Sequence, residues 1–318
     1  MSDLNYRGFQ GGDEAAVVEL WNRCLPADPI TPTRFRTLVL LDANFDPEGL
    51  RLAFDGGRLC GFLYCLRRLL PMHGTDLEDD KAWITCFAVD GQYRRRRIAS
   101  VLLDQALGLL GRWGRKQAFF SSYAPNYVVP GIDEAAYPAG KSFLLSRGFA
   151  VQYSPVAMDR SLVGYAVPAE AEARRRALED AGYVFGGVRD GDLPELVRFA
   201  TDVFNPDWGR AIREGAAAGM PLCRILTARA EGRLIGFCMH GAYEGVRERF
   251  GPFGVDPACQ GRGVGKVLLA MCLERMRAEG LHGAWFLWTG EKSPAGHVYL
   301  KAGFAVTRRF HVMRRDVG

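Results

Sequence analysis

An internal repeat constrains the fold of this chain more than any other feature of its sequence. Residues 89–103 align with residues 255–269 at a constant offset of 166, since 255 − 89 = 269 − 103 = 166. Two flanking matches keep the same order in both halves. The matched segments are Arg94-Arg95-Arg96-Arg97-Ile98-Ala99 with Gln260-Gly261-Arg262-Gly263-Val264-Gly265, Leu59-Cys60-Gly61-Phe62 with Leu234-Ile235-Gly236-Phe237, and Arg147-Gly148-Phe149 with Ala302-Gly303-Phe304. The repeat predicts two copies of one domain.

The chain of 318 residues is long enough for two domains of ordinary size. The stretch between the copies begins at Pro168, contains strong helix formers and ends at Gly182, a pattern typical of a helical connector. We therefore place the first domain at residues 1–162, a helical linker at residues 163–182 and the second domain at residues 183–318.

Strand and helix patterns alternate within each half. In the second half, residues 183–188 and 250–255 are predicted strands, and residues 222–229 and 234–243 form a predicted hairpin. A helix is predicted from about residue 263 to residue 279, and Gly280 ends it. The predicted fold class is mixed α/β (an α+β arrangement around a mixed sheet), present twice in tandem.

The composition favours a cytoplasmic globular protein. Apolar runs such as residues 38–41 are far shorter than the ~20 residues that span a bilayer, and the polar first residues predict no signal peptide. The eight cysteines show no C-x-x-C spacing, so we expect free thiols in a reducing compartment and no metal site. A net charge of +5 favours an anionic ligand without indicating nucleic acid.

The second copy contains a glycine-rich loop, residues 260–265, between a predicted strand and a predicted helix. Glycines allow the backbone to approach an anion closely, and the N–H groups of the first helical turn then point at phosphate oxygens. Arg262 and Lys266 add positive charge. A P-loop is excluded because no G-K-[ST] sequence follows, and a Rossmann turn is disfavoured because the loop lies deep inside its half.

The residues Val255-x-Pro257-x-x-Gln260-Gly261-x-Gly263-x-Gly265 resemble the acetyl-CoA signature of the GNAT superfamily of N-acetyltransferases. The later segment Tyr299-Leu300-Lys301-Ala302-Gly303-Phe304 is similar to the Tyr-x-x-x-Gly-Phe segment of that superfamily. The resemblance covers most of the second domain and, more weakly, most of the first. Two such domains in one chain resemble the tandem members of the superfamily.

The resemblance implies that the CoA diphosphate binds the loop and that the pantetheine arm lies along the preceding strand. The coenzyme-binding residues that it implies are Phe253, Gly254, Val255, Gln260, Gly261, Arg262, Gly263, Val264, Gly265 and Lys266. Tyr299 matches the position of the family's general acid. An amine attacks the thioester directly, with no acyl-enzyme and no metal.

A general base is also required, and Glu248 and Glu244 are the candidates because both precede the strand that would carry the thioester. Two other interpretations stay open at this point. Tyr299 is also suited to pack beside Phe304, and the two glutamates are also suited to a solvated turn.

The first domain departs from the family pattern at two positions. Arg97 aligns with Gly263. Leu144 takes the place of Tyr299, because Leu144 lies five residues before Phe149 and Tyr299 lies five residues before Phe304 (149 − 144 = 304 − 299 = 5). Side chains of the arginine run are still suited to hold phosphate. The coenzyme-binding candidates of this copy are Arg94, Arg95 and Ala99.

We therefore expect the second domain to catalyse and the first to be a degenerate copy. An alternative within the superfamily makes the first domain catalytic through an insertion at residues 121–137. The acid and base candidates of that alternative are Tyr123, Tyr127, Asp133, Glu134 and Tyr137.

The expected activity is transfer of an acetyl group from acetyl-CoA to a primary amine of a small-molecule or peptide acceptor. One alternative is a non-catalytic acetyl-CoA sensor. A nucleic-acid-binding protein is a weaker one, because the arginine clusters are scattered over different elements and no nucleic-acid motif occurs. We expect neither a nucleic-acid nor a membrane partner, and the oligomeric state stays open.

Overall fold

The computed structural model describes residues 4–318, which form two compact units. The first unit contains residues 4–71, 75–155 and 309–318, and the second contains residues 72–74 and 156–308. This division differs from the linear prediction at two strands, because residues 156–161 belong to the second unit and the last ten residues belong to the first.

Along the chain, groups of one to three strands alternate with groups of one or two helices. The strands are β1 (Leu4–Gly8), β2 (Leu50–Asp55), β3 (Arg58–Leu66), β4 (Lys81–Val89), β5 (Gln117–Phe120), β6 (Ile132–Asp133), β7 (Ala150–Tyr153), β8 (Val156–Ser161), β9 (Tyr183–Gly187), β10 (Ile225–Ala230), β11 (Arg233–His240), β12 (Phe250–Val255), β13 (Gly283–Thr289) and β14 (Ala305–Asp316). The helices are α1 (Glu14–Cys24), α2 (Pro32–Phe35), α3 (Ile98–Arg112), α4 (Pro138–Ser146), α5 (Ala169–Asp180), α6 (Leu193–Val203), α7 (Pro206–Ala217), α8 (Val264–Ala278) and α9 (Pro294–Lys301). A π-helix (Arg36–Leu40) follows α2 directly.

In the first unit, β1 to β4 form an antiparallel sheet in chain order. Strand β4 then pairs in parallel with β5, but only residues 81–84 take part. Among the described residues, residues 85–89 of β4 have no strand partner on that side, so the sheet splays open there. A bulge at the same point leaves Thr85 between the pairs Cys65–Ile84 and Tyr64–Cys86.

Strand β3 is buried almost throughout because helices cover both of its faces. On one face α1 contributes Trp21, whose ring stacks on Phe62 with 5.6 Å between the ring centroids. On the other face α3 contributes Leu102 and Leu109 to a second apolar cluster. These two layers fix the position of the segment that joins β4 to α3.

The second unit repeats this plan. Strands β9 to β12 form an antiparallel sheet, and β13 pairs antiparallel with β8. Helix α8 packs on β10 and β11, and α6 and α7 enclose Phe237 in another cluster. The predicted mixed α/β class is confirmed. Within residues 4–318, no helix is both long and apolar enough to cross a bilayer.

A glycine in each hairpin lets the helix after the loop approach the sheet. A Cβ atom on Gly61 would lie 2.8 Å from Ile98 Cγ2 of α3, and one on Gly236 would lie 3.1 Å from Leu268 Cδ1 of α8. The repeated pair Gly61-Phe62 and Gly236-Phe237 therefore marks the point where α3 and α8 contact their sheets.

We predict that Gly61→Ala destabilises the first unit by about 1–3 kcal/mol, because the new methyl group overlaps the first turn of α3. Gly57→Ala in the preceding turn is the matched control, since a Cβ there meets nothing within 4 Å. Urea unfolding of both variants checks this. Equal stability of the two variants would contradict the close packing.

Candidate functional site

The loops that precede α3 and α8 have the same backbone conformation despite their different sequences. Gly261 and Gly263 have φ values of 76° and 86°, and the aligned Arg95 and Arg97 both have φ 64°. Left-handed backbone is unfavourable for arginine by roughly 1–2 kcal/mol per residue. The first copy therefore keeps a strained turn that its side chains disfavour, which indicates that the turn itself is used.

Each turn exposes the N–H groups of a helix start. The first intrahelical bond of α3 runs from the Val101 N–H to the Arg97 carbonyl at 3.0 Å, and that of α8 from Val267 to Gly263 at 3.2 Å. The N–H groups at residues 98–100 and 264–266 therefore have no acceptor inside their helix. Both turns are suited by geometry to bind an anion.

In the second unit, a side chain from another helix contacts the glycine-rich loop. Arg174 of α5 donates from Nε to the carbonyl of Arg262 at 2.8 Å, and a Cβ on Gly263 would lie 2.7 Å from that Nε atom. The Arg262 guanidinium donates to the Tyr183 hydroxyl at 2.9 Å. A guanidinium of the linker helix therefore lies against the predicted diphosphate site.

The predicted pantetheine strand of the second unit is also covered on one face. The Phe204 ring lies where a side chain on Gly254 would project, and the Phe253 ring is buried against Gly265. Val255 pairs with Gly236 of β11. The other loop residues are mostly at the surface: Gln260, Gly261 and Lys266 are exposed, whereas Val264 is buried in the core.

Tyr299 lies inside an aromatic cluster. The rings of Phe250, Phe253, Phe286 and Phe304 surround it, and the Phe286 centroid is 4.4 Å from its own. Burial in this cluster raises the pKa of Tyr299 far above its ordinary value. This placement favours the packing interpretation, and the general-acid role stays a prediction.

The two predicted bases also stay predictions, and the structure places them differently. Glu244 accepts a hydrogen bond from Arg249 at 2.9 Å, so its charge is paired within its own turn. Glu248 is half-buried, and its backbone carbonyl accepts from the Trp285 N–H at 3.0 Å. Both carboxylates lie in the turn that precedes β12, whereas Tyr299 lies in the aromatic cluster.

The first unit contains a cavity of about 990 Å³, within the range typical of small-molecule and cofactor sites. Its walls are residues 85–89 on the unpaired edge of β4, the arginine loop, α4 and the end of α1. Arg94, Arg95 and Ala99, the predicted coenzyme-binding residues of this copy, line it. The cavity thus joins a free strand edge to a helix start.

The charge of this cavity is strongly positive. Among the described residues, Arg94, Arg95 and Arg97 line it without an acidic partner, and Asp28 is the one carboxylate in its wall. Unpaired guanidinium groups beside helical N–H groups are suited to bind phosphate. This arrangement fits the diphosphate of CoA.

The insertion candidates of the first domain separate in the structure. Tyr137 lines the cavity and donates its hydroxyl to Asp28 Oδ2 at 2.8 Å. The other four are not in the cavity wall: Tyr123 is buried and donates to Asp42, Asp133 caps the following backbone turn, Glu134 pairs with Lys141, and Tyr127 is half-buried. Sequence reasoning missed Asp28, which no motif marks.

The profile of the acetyltransferase (GNAT) family matches residues 15–127 and 192–304, so both copies are covered. A mycothiol acetyltransferase of Nocardia farcinica is 28% identical over 319 residues, covering 96% of each chain. One from Propionibacterium freudenreichii is 32% identical over 158 residues, 46% of this chain and 51% of its own.

Solved structures agree in fold. A GCN5-related glucosamine N-acetyltransferase region of a fungal multi-domain β-N-acetylglucosaminidase superposes with a TM-score of 0.81 at 18% identity, covering 99% of this chain and 38% of that one. A GCN5-related N-acetyltransferase from Sphaerobacter thermophilus gives 0.72 at 15% identity over 99% and 96%. A tandem GNAT protein of the clavulanic acid biosynthesis pathway gives 0.64 at 17% identity over 99% of each.

We predict that Ser142→Trp weakens acetyl-CoA binding at least tenfold, because Ser142 is exposed on the cavity wall and an indole there fills the groove. His297→Trp is the matched control in the second copy, since both positions lie two residues before the aligned Leu144 and Tyr299 and both are exposed. Isothermal titration calorimetry measures both. A weakened His297→Trp with a normal Ser142→Trp would contradict the assignment.

Proposed function

We propose, since the chain belongs to the acetyltransferase (GNAT) family, that its first unit binds acetyl-CoA and transfers the acetyl group to a primary amine. The chain is an acyltransferase by that membership. The observation that carries the proposal is the cavity, which combines the open edge of β4 with the arginine loop. This reverses the expectation that the second domain catalyses.

The cavity suits each part of the coenzyme. The pantetheine arm contains two amides, and an unpaired strand edge is the usual partner for an extended amide chain. Residues 85–89 supply such an edge. The diphosphate would accept from the N–H groups at residues 98–100 and from the guanidinium groups of Arg94, Arg95 and Arg97.

The chemistry then follows from placement. A backbone N–H on the free part of β4 would donate to the thioester oxygen as negative charge develops on it. The amine nitrogen bonds to the acetyl carbon, the C–S bond breaks, and the CoA sulfur leaves as a thiolate that takes a proton. Holding both reactants in one cavity supplies much of the rate enhancement.

For the acceptor we propose a small polar amine of the amino-sugar type. Support comes from the names of similar proteins, a mycothiol acetyltransferase in one case and a glucosamine N-acetyltransferase region in the other. The alignment with the Nocardia farcinica protein covers 96% of both chains. Asp28 in the cavity wall offers a carboxylate that can accept a hydrogen bond from the amine.

We predict that the protein releases CoA from acetyl-CoA when a panel of amines that includes glucosamine is supplied, and that Tyr299→Phe keeps kcat within about twofold. The Tyr299 hydroxyl is enclosed by aromatic rings in the second unit, so its loss removes no proton donor from the cavity. A thiol-reactive dye follows the released CoA.

The control is Ser142→Trp, which should lose transfer in the same assay. A hundredfold loss of kcat in a folded Tyr299→Phe protein would instead assign catalysis to the second domain. Tight acetyl-CoA binding with no transfer to any amine of the panel would favour the sensor alternative.

A further inference from the structure

The cavity of the first unit offers few groups that can exchange a proton near neutral pH. Its arginines are permanently protonated. Burial raises the pKa of Cys86 to about 12 and that of Cys24 above its ordinary value, so both remain thiols. Tyr93 donates its hydroxyl to Asp55 at 2.9 Å, and this bond raises its pKa. Asp28 and Tyr137 are the two titratable residues of the wall that remain.

The family's proton donor is missing from this copy. Leu144 takes the position that Tyr299 has in the second copy, and it is buried in the apolar core. Tyr137 lies seven residues earlier, at the N-cap of α4. The backbone at this N-cap is not helical, and the Tyr137 side chain lines the cavity, whereas Leu144 faces the core.

We propose that Asp28 and Tyr137 act as a proton relay in acetyl transfer, with Asp28 accepting the proton of the attacking amine and Tyr137 donating one to the departing sulfur. The inference rests on the proposed function of the first unit. Both side chains line the cavity, and the Tyr137 hydroxyl already donates to Asp28 Oδ2 at 2.8 Å.

The proton count closes for an amine that enters the cavity as its free base, after losing its ammonium proton to solvent. As the C–N bond forms, the nitrogen gives one proton to the Asp28 carboxylate. As the C–S bond breaks, Tyr137 gives its proton to the sulfur and takes the proton that Asp28 has received. The products are the amide and the CoA thiol, and both side chains return to their starting charge.

The loop that carries Asp28 is held in place at several points. The Trp21 indole N–H donates to the Asp28 carbonyl at 2.7 Å. The Asn22 amide bridges both backbone groups of Ile30, accepting from its N–H at 2.7 Å and donating to its carbonyl at 2.9 Å. Such support holds the carboxylate in one position before any ligand binds.

Tyr137 is fixed equally well. Its N–H donates to the Asp133 carbonyl at 2.8 Å, and Asp133 Oδ1 accepts from the N–H groups of Ala135 and Ala136. Pro138 then begins α4 directly after the tyrosine. The role of Asp133 is therefore to shape the turn that presents Tyr137.

Among the described residues, the other charged and titratable groups of the cavity wall come from three elements. Arg23 and Cys24 lie at the end of α1, where Arg23 pairs with Glu19 and Asp90. Cys86 lies on β4. The loop before α3 contributes Tyr93, Arg94, Arg95 and Arg97. The variants below leave all of these groups in place, so they isolate the contribution of the relay.

A titration of bound CoA tests the relay without any acceptor. Thiolate absorbance of CoA bound to the full chain reports the pKa of its thiol. We expect Tyr137→Phe to raise that pKa by about one unit, because a hydrogen bond to the thiolate is lost. Asp28→Asn should lower it, because a facing negative charge is removed. If Asp28 and Tyr137 had purely structural roles, their substitution would not shift the pKa of the CoA thiol in opposite directions.

Matched controls are Tyr153→Phe and Asp104→Asn, whose side chains lie outside the cavity wall. They should leave the thiol pKa unchanged. In the transfer assay we expect each relay variant to lose at least a hundredfold in kcat with an unchanged KM for acetyl-CoA, and Asp28→Glu to recover part of it.

The possible failures are distinguishable. A wild-type protein that neither binds acetyl-CoA in the first unit nor transfers acetyl groups overturns the proposed function. A wild-type protein that does both, with Tyr137→Phe and Asp28→Asn leaving the thiol pKa and kcat unchanged, overturns the relay alone.

Discussion

The parallel ladder between β4 and β5 ends after four residue pairs, and the function proposed for the first unit depends on that ending. Beyond it, residues 85–89 keep their partners in β3 but have none toward β5 in the part of the chain that the structure describes. Unpaired backbone groups that are not at the surface need an acceptor or donor. An extended amide chain in the cavity would supply both, and the bulge at Thr85 marks where the divergence begins.

The two copies use one backbone plan in different ways. Both have a left-handed turn before the helix, with arginines in the first copy and glycines in the second. In the second copy, Arg174 contacts the loop, Phe204 packs on one face of the strand at Gly254, and Tyr299 completes an aromatic core. The first copy leaves the corresponding region as a cavity where, within residues 4–318, Arg94, Arg95 and Arg97 have no acidic partner.

Much of the fold was predictable because the repeat and the local hydrophobic patterns indicate where helices, strands and turns lie. The helix predicted for residues 263–279 is α8 at Val264–Ala278, and the strand predicted for residues 250–255 is β12. The mixed α/β class and the tandem arrangement of two family domains are confirmed. These features depend on periodicity and turn residues, which are local.

The site was harder to predict because it depends on contacts between distant residues. Arg174 reaches a loop 88 residues later, and Asp28 meets Tyr137 across 109 residues. A glycine signature indicates that a turn can bind phosphate, but it carries no information on whether another side chain covers the turn. The motif around Tyr299 likewise places a ring on a helix without showing that Phe250 and Phe286 enclose it.

The central claim is that the coenzyme lies along the open edge of β4, and a crystal structure of the protein with bound CoA tests it most directly. We expect the pantetheine arm beside residues 85–89, with the diphosphate at the start of α3. A complex in which the arm lies instead along residues 253–255, with Phe204 and Arg174 displaced, would contradict this account.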